Sequence, residues 1–96
     1  MKKRLHAVIH GRVQRVGFRN FVEMVASQEN VTGWVRNLYS GEVEVMAEGE
    51  ETELIPFLTM ISQGQPPAYV TDVKIEWENA TGEFESFDIR TTWVSD

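Results

Sequence analysis

Leu5, Ala7 and Ile9 alternate with His6 and His10, the period-two pattern of a strand with one face turned inward. The period changes after Gly11. Phe18, Phe21, Val22, Val25 and Ala26 recur at i, i+3, i+4, i+7 and i+8, which draws one apolar stripe along a helix. Asn30 marks its stop, and "VTGWVRNLY" reads as a short strand rich in β-branched and aromatic residues. Ser40 and Gly41 make a hairpin turn. Beyond it Val43, Val45 and Ala47 alternate with Glu42, Glu44 and Glu48, a strand expected to pair antiparallel with the preceding one and to leave its acidic face solvated.

A second helical stripe, Leu54, Phe57, Leu58 and Ile61, follows the acids Glu50, Glu51 and Glu53, placed where a helix dipole favours negative charge. Pro56 falls in the early turns, where it is tolerated. "QGQPPAY" from Gln63 to Tyr69 reads as a loop. Val73, Ile75 and Trp77 then alternate with Asp72, Lys74 and Glu76 as a strand, "NATGE" turns, and Phe87 and Ile89 lie on a last short strand. The order β-α-β-β-α-β, with a short extra terminal strand, predicts an α+β fold. It is the ferredoxin-like α/β sandwich, an antiparallel sheet with two helices on one face. Such a fold assigns no function by itself.

At 96 residues, 42% hydrophobic and 25% charged, the chain is expected to form one domain over residues 1–96. It has no cysteine, so a disulfide framework and a thiolate nucleophile are excluded. The basic start is followed by an apolar run broken by His6, His10 and Arg12, a poor signal peptide, and nothing approaches the roughly 20 apolar residues of a membrane span. The expectation is a soluble cytoplasmic protein with no membrane partner. The net charge of -6 argues against nucleic acid as a partner, since Lys and Arg contacts to phosphates supply most of that affinity.

The charge is unevenly spread. Residues 1–36 hold seven basic residues, Lys2, Lys3, Arg4, Arg12, Arg15, Arg19 and Arg36, against Glu23 and Glu29. Residues 37–96 hold only Lys74 and Arg90 against thirteen acids. Charge alone fits chance clustering on a solvated surface as well as a local anion site on an acidic body. The stretch "HGRVQRVGFRNF", His10 to Phe21, concentrates three arginines and two glycines between the first strand and the first helix. A Gly-bearing turn there exposes backbone N–H groups that lack helical partners, and Arg19 near the first turn would aim a planar fork of donors at the same space. Spacing alone also fits a plain tight turn shaped by Gly11 and Gly17, with Arg19 in a surface ion pair.

Other chemistry is weaker. His6 and His10 on one strand face stand roughly 13 Å apart, too far to share one metal ion. Trp34, Trp77 and Trp93 read as packing or edge residues, and Ser27 and Ser40 lack a His and Asp arrangement. The spacing of Glu42, Glu44 and Glu48 is not that of a calcium loop. "RVGFRNFV" is superficially similar to the aromatic motif of RNA-recognition modules, but the helical stripe puts it at a helix start rather than on a central strand.

"GRVQRVGFR" resembles the acylphosphatase family signature GxVQGVxFR, matched by Gly11, Val13, Gln14, Val16, Phe18 and Arg19. "GWVRN" is similar to the family's second motif, GxVxN, through Gly33, Val35 and Asn37. "GEVEVMAEGE" and the proline loop with "AYVTDV" are also family-like, so the resemblance spans essentially the whole chain. It implies metal-independent, cofactor-free hydrolysis of small acyl phosphates to carboxylate and inorganic phosphate. Carried over by motif position, Arg19 would bind the phosphoryl oxygens with backbone N–H groups of the loop Gln14, Arg15, Val16, Gly17 and Phe18, and Asn37 would orient the attacking water. The departure is Arg15, where the family usually has glycine. If that position needs φ > 0, the side chain adds strain of about 1–2 kcal/mol and could tilt neighbouring N–H groups; otherwise it points to solvent and attracts anions. A catalytically impaired phosphate-binding or interaction domain of the same fold stays open as the alternative, an RNA-binding module less so. The acylphosphatase-like domain of a hydrogenase-maturation carbamoyltransferase belongs in a far longer chain, so a standalone monomer is expected.

Overall fold

Leu5, Ala7 and Ile9 are fully buried on β1 (Lys2–Arg12), which has a strand on either side. The computed structural model describes residues 1–92, so Trp93 lies outside the described residues. After β1 the chain forms α1 (Phe18–Glu29), β2 (Thr32–Asn37), β3 (Val43–Glu50), α2 (Glu51–Gln63), β4 (Tyr69–Asn79) and β5 (Phe87–Ile89). This is the expected ferredoxin-like order with its extra strand.

The strands lie in the order β4-β1-β3-β2-β5. Four of them are antiparallel, as the pattern predicts. β5 makes the sheet mixed, pairing parallel to β2 with Gly33 opposite Phe87 and Val35 opposite Ile89. The cause is the path between the edges. β4 ends with Asn79 opposite Lys3, at the end of the sheet where β2 begins. The chain crosses that end and enters the far edge in the direction of β2.

One face of the sheet is dry. Leu5, Ala7 and Ile9 join Val35, Val43, Val45 and Ala47 in a cluster with Phe18, Val22, Val25 and Ala26 of α1 and Leu54, Phe57 and Ile61 of α2. Burying a Val, Leu, Ile or Phe side chain stabilises the fold by about 1.5–3 kcal/mol. Phe21 and Leu58, at the margins of their stripes, are partly buried against the same cluster. α1 stops at Asn30, which takes the left-handed conformation and donates its backbone N–H to the Ala26 carbonyl. α2 starts from a capping box in which the Glu50 N–H donates to Glu53 Oε1 at 3.0 Å.

The other face departs from expectation, because its glutamates are not simply solvated. Glu48 is buried and accepts hydrogen bonds from the Thr81 N–H at 2.8 Å, the Gly82 N–H at 2.9 Å and Arg4 Nε at 2.8 Å. The segment that crosses from β4 to β5 folds over this end of the sheet and takes Glu48 out of water. Burial pushes the Glu48 carboxyl up, but these donors outweigh it and hold the group below its ordinary value. Glu44 sits between His6 Nε2 and Arg36 Nε, each at 2.7 Å. Trp34 packs as expected, with the Arg36 and Arg90 guanidinium carbons 4.3 and 5.0 Å from its ring centre. Trp77, on the edge strand β4, is exposed.

Candidate active site

Three strands that run in one direction, β1, β2 and β5, deliver the site from their carboxyl ends. Near the end of β1 the register with β4 slips between His10 and Gly11. A Cβ on Gly11 would lie 2.1 Å from the Tyr69 carbonyl oxygen. Gly11 thus serves the close approach of two backbones at a bulge rather than the turn into α1 itself.

The turn proper spans residues 13–17. Val13 is buried as its apolar foot. Gln14 reaches away, its Nε2 donating to the carbonyls of Leu38 at 2.6 Å and Glu42 at 2.8 Å. Those carbonyls belong to the tight connection between β2 and β3, so one amide side chain ties the two loops together. Val16 packs against the core cluster. Arg15 and Gly17 both take positive φ, 62° and 76°, the type of backbone that lines up successive N–H groups around a concavity. Among the described non-glycine residues only Asn30 shares that conformation with Arg15.

Gly17 is the N-cap of α1, so no side chain caps this helix, and its first turn carries no acid. The first backbone bond of the turn runs from the Phe21 N–H to the Gly17 carbonyl at 3.1 Å. The N–H groups of Phe18, Arg19 and Asn20 are left without helical partners. The contrast with α2, which supplies Glu50, Glu51 and Glu53 at its own start, is the contrast between a sealed helix end and one open to an anion.

A cleft of about 200 Å³ opens at this helix start. Val13 and Phe18, both buried, form its floor; Arg19 and Asn37 line its sides; Arg15, Gly17, Asn20 and Ile89 stand at its exposed margin. Arg19 Nη1 donates to the Arg90 carbonyl at 3.4 Å, a long contact that links the guanidinium to the chain just past β5. Asn37, the last residue of β2, is nine-tenths buried, and its Oδ1 has no hydrogen-bond partner among the described residues. A buried amide oxygen without a partner costs about 1–3 kcal/mol, so this atom is primed to accept a donor from the cleft. No carboxylate is among the residues that line the cleft. A larger groove of about 380 Å³ between α2 and β4 carries Glu51 and Glu78 against the single cation Lys3, a balance less suited to an anion.

Of the residues singled out in the sequence, Arg15, Gly17, Phe18, Arg19 and Asn37 meet in this cleft, while the side chains of Gln14 and Val16 do not line it. Three contributors were not anticipated. Asn20 follows Arg19 on α1 and could have been read from its place in the first turn. Ile89 and the Arg90 carbonyl arrive only because β5 pairs with β2, and no local pattern announces that.

The fold is a ferredoxin-like α+β domain, and one cleft in it brings together a guanidinium, an uncapped helix start and an unpaired amide oxygen, a set of groups able to receive an oxyanion. The acylphosphatase family model matches residues 5–89. An acylphosphatase of Bacillus licheniformis is 49% identical over 82 residues, which covers 85% of this chain and 91% of that one. The crystal structure of acylphosphatase from Bacillus subtilis superposes with a TM-score of 0.89 at 36% identity, covering 92% of this chain and 98% of that one. Full-length HypF, in its phosphate- and nucleotide-bound form, contains a similar region: TM-score 0.85 at 29% identity, covering 96% of this chain but 12% of that one. The chain belongs to the acylphosphatase family, and its activity is that of an acylphosphatase, hydrolysis of small acyl phosphates. Among the described residues no helix is long and apolar enough to cross a membrane.

Proposed function

We propose that the cleft at the start of α1 holds the phosphoryl group of an acyl phosphate and that Asn37 presents water to it. The observation that carries this reading is Asn37 Oδ1, buried and unpartnered in the same cleft as Arg19. The Arg19 fork takes two phosphoryl oxygens, and backbone N–H groups of the loop from Gln14 to Phe18 and of the first turn of α1 converge on the third. Asn37 Oδ1 accepts a hydrogen bond from water and fixes its line of approach to phosphorus. The oxygen of water attacks phosphorus while the bond to the carboxylate oxygen breaks. The proton leaves to an oxygen of the transferred phosphoryl group, since an amide is no base at neutral pH. The products are the carboxylate and inorganic phosphate. A loose transition state spreads charge over the equatorial oxygens, so preorganised donors supply the catalysis. The leaving carboxylate needs no general acid, and the step uses neither metal nor cofactor.

The same reading has the chain work as one domain and as a monomer in the cytoplasm, without a nucleic-acid partner. A single hydrophobic cluster joining both helices to the sheet supports the first point, and the net charge of -6 supports the last.

Inorganic phosphate separates the two roles. Titrated into the protein and followed by amide shifts of residues 14–20, it should bind wild type and Asn37→Ala with affinities within a few-fold. Arg19→Ala should lose that binding. Phosphate shifts centred on any other surface would place the anion elsewhere and defeat the assignment.

A further inference from the structure

An acyl phosphate has two ends, and the proposal above accounts for one. With the phosphoryl group on Arg19 and the helix start, the acyl group leaves the cleft over its exposed margin. Three side chains stand there: Ile89, apolar and about one-third exposed, the neutral amide Asn20, and Arg15, the one cation among them.

Arg15 is costly to hold in this position. Its φ of 62° puts an L side chain in the left-handed region, at about 1–2 kcal/mol. The side chain returns nothing to the fold that would offset this: Arg15 is exposed and has no ion pair or hydrogen bond among the described residues. A strained residue that stands at the margin of a cleft and whose charge serves no internal partner points to a ligand. The arginines that do support structure are paired, Arg4 with Glu48 and Arg36 with Glu44. Binding of the phosphoryl dianion is already provided for by Arg19 and the free N–H groups. The chain as a whole carries a net charge of -6 and would repel a substrate with additional negative charge unless a local cation met it.

We infer that Arg15 is a specificity-determining residue whose guanidinium receives a second oxyanion, carried on the acyl half of the substrate. This rests on the phosphoryl group lying at Arg19. The preferred substrates are acyl phosphates with a short carbon skeleton, which runs past Ile89, and an anionic group at its far end. A carboxylate and a phosphate ester offer the same fork-shaped acceptor to a guanidinium.

The test compares benzoyl phosphate with its ring-carboxylated and ring-phosphorylated analogues, in wild type, Arg15→Gln, Arg15→Lys and Arg15→Gly. The readout is the ratio of kcat/KM for each anionic analogue to that for benzoyl phosphate. A charge-assisted contact at a solvent-exposed margin should make this ratio fall about tenfold in Arg15→Gln. Arg15→Gly should fall equally while relaxing the backbone, and Arg15→Lys should keep part of the ratio. The two analogues show whether carboxylate or phosphate is the better match. An unchanged ratio would overturn the inference and leave Arg15 a bystander. Equal losses on all three substrates would overturn it in favour of a role in loop shape. Weaker inhibition by inorganic phosphate in Arg15→Gln, with an unchanged ratio, would put the guanidinium on the transferred group instead. Arg19→Ala run alongside keeps the premise separate: if it retains turnover, the phosphoryl placement has failed, whatever Arg15 does.

Discussion

Arg15 holds a backbone conformation that glycine would hold without strain. Replacing it by glycine relieves about 1–2 kcal/mol of left-handed strain and restores unfolded-state freedom that offsets up to about 1 kcal/mol. Arg15→Gly should therefore be more stable than wild type by about 1 kcal/mol, read from the urea midpoint at unchanged m-value. A destabilised Arg15→Gly would mean that the guanidinium supports the fold. Single residues also show what sequence could and could not reveal. Arg19, Asn37 and the Arg15 departure were readable because each occupies a fixed place in a motif, and Gly17 was readable from its place in the turn just before the helical stripe. Gln14 was readable as part of the loop but not as a brace, since its partners are the Leu38 and Glu42 carbonyls, distant in sequence and chosen by the tertiary path. Glu48 was misread as a solvated strand residue, because alternation says which face a residue occupies and nothing about what later covers that face.

That cover is the crossing segment between β4 and β5, and Glu48 is its anchor. The carboxylate collects the Thr81 and Gly82 N–H groups and the Arg4 guanidinium, and Arg4 also reaches Glu83 on the same segment. Glu48→Ala leaves these donors unsatisfied at a largely buried site and should cost about 2–4 kcal/mol of stability. It should also loosen the pairing of β5 with β2, seen as faster exchange of the Gly33 and Arg90 amides, which donate to Ser86 and Val35. The sign with pH follows from the folded carboxyl lying below its ordinary value of 4.5. Glu48's stabilisation is complete above about that pH and is lost as pH falls through the lower folded value. Wild type should thus lose stability faster than Glu48→Ala below pH 4.5 in urea melts. Parallel curves would remove the carboxylate from this role. The elements themselves were largely legible, both helices from their apolar stripes, β1, β3 and β4 from alternation, and β2 from its β-branched and aromatic residues. The parallel seat of β5 was not, because three residues carry too little pattern to choose an edge or a direction.

Taken together, the protein places a positively charged cleft on an acidic molecule. β1, β2 and β5 end at one rim of the sheet, so residues from three distant stretches, Arg19, Asn37 and Ile89, share a cleft of about 200 Å³. The helices are committed to the core on their inner faces, and the start of α1 remains open to an anion because its cap is Gly17. Fold and chemistry are joined at that point, and hydrolysis should require nothing beyond these groups and water. The most direct test is turnover of benzoyl phosphate, followed by its ultraviolet absorbance with a chelator present, in wild type, Arg19→Ala and Asn37→Ala. The expected result is rapid hydrolysis by wild type and a loss of about 10²–10³-fold in kcat for Asn37→Ala, typical of removing one preorganised polar contact. Arg19→Ala should lose at least as much in kcat/KM. Turnover by either variant, shown to be folded, at the wild-type rate would contradict the central claim that this cleft carries the reaction.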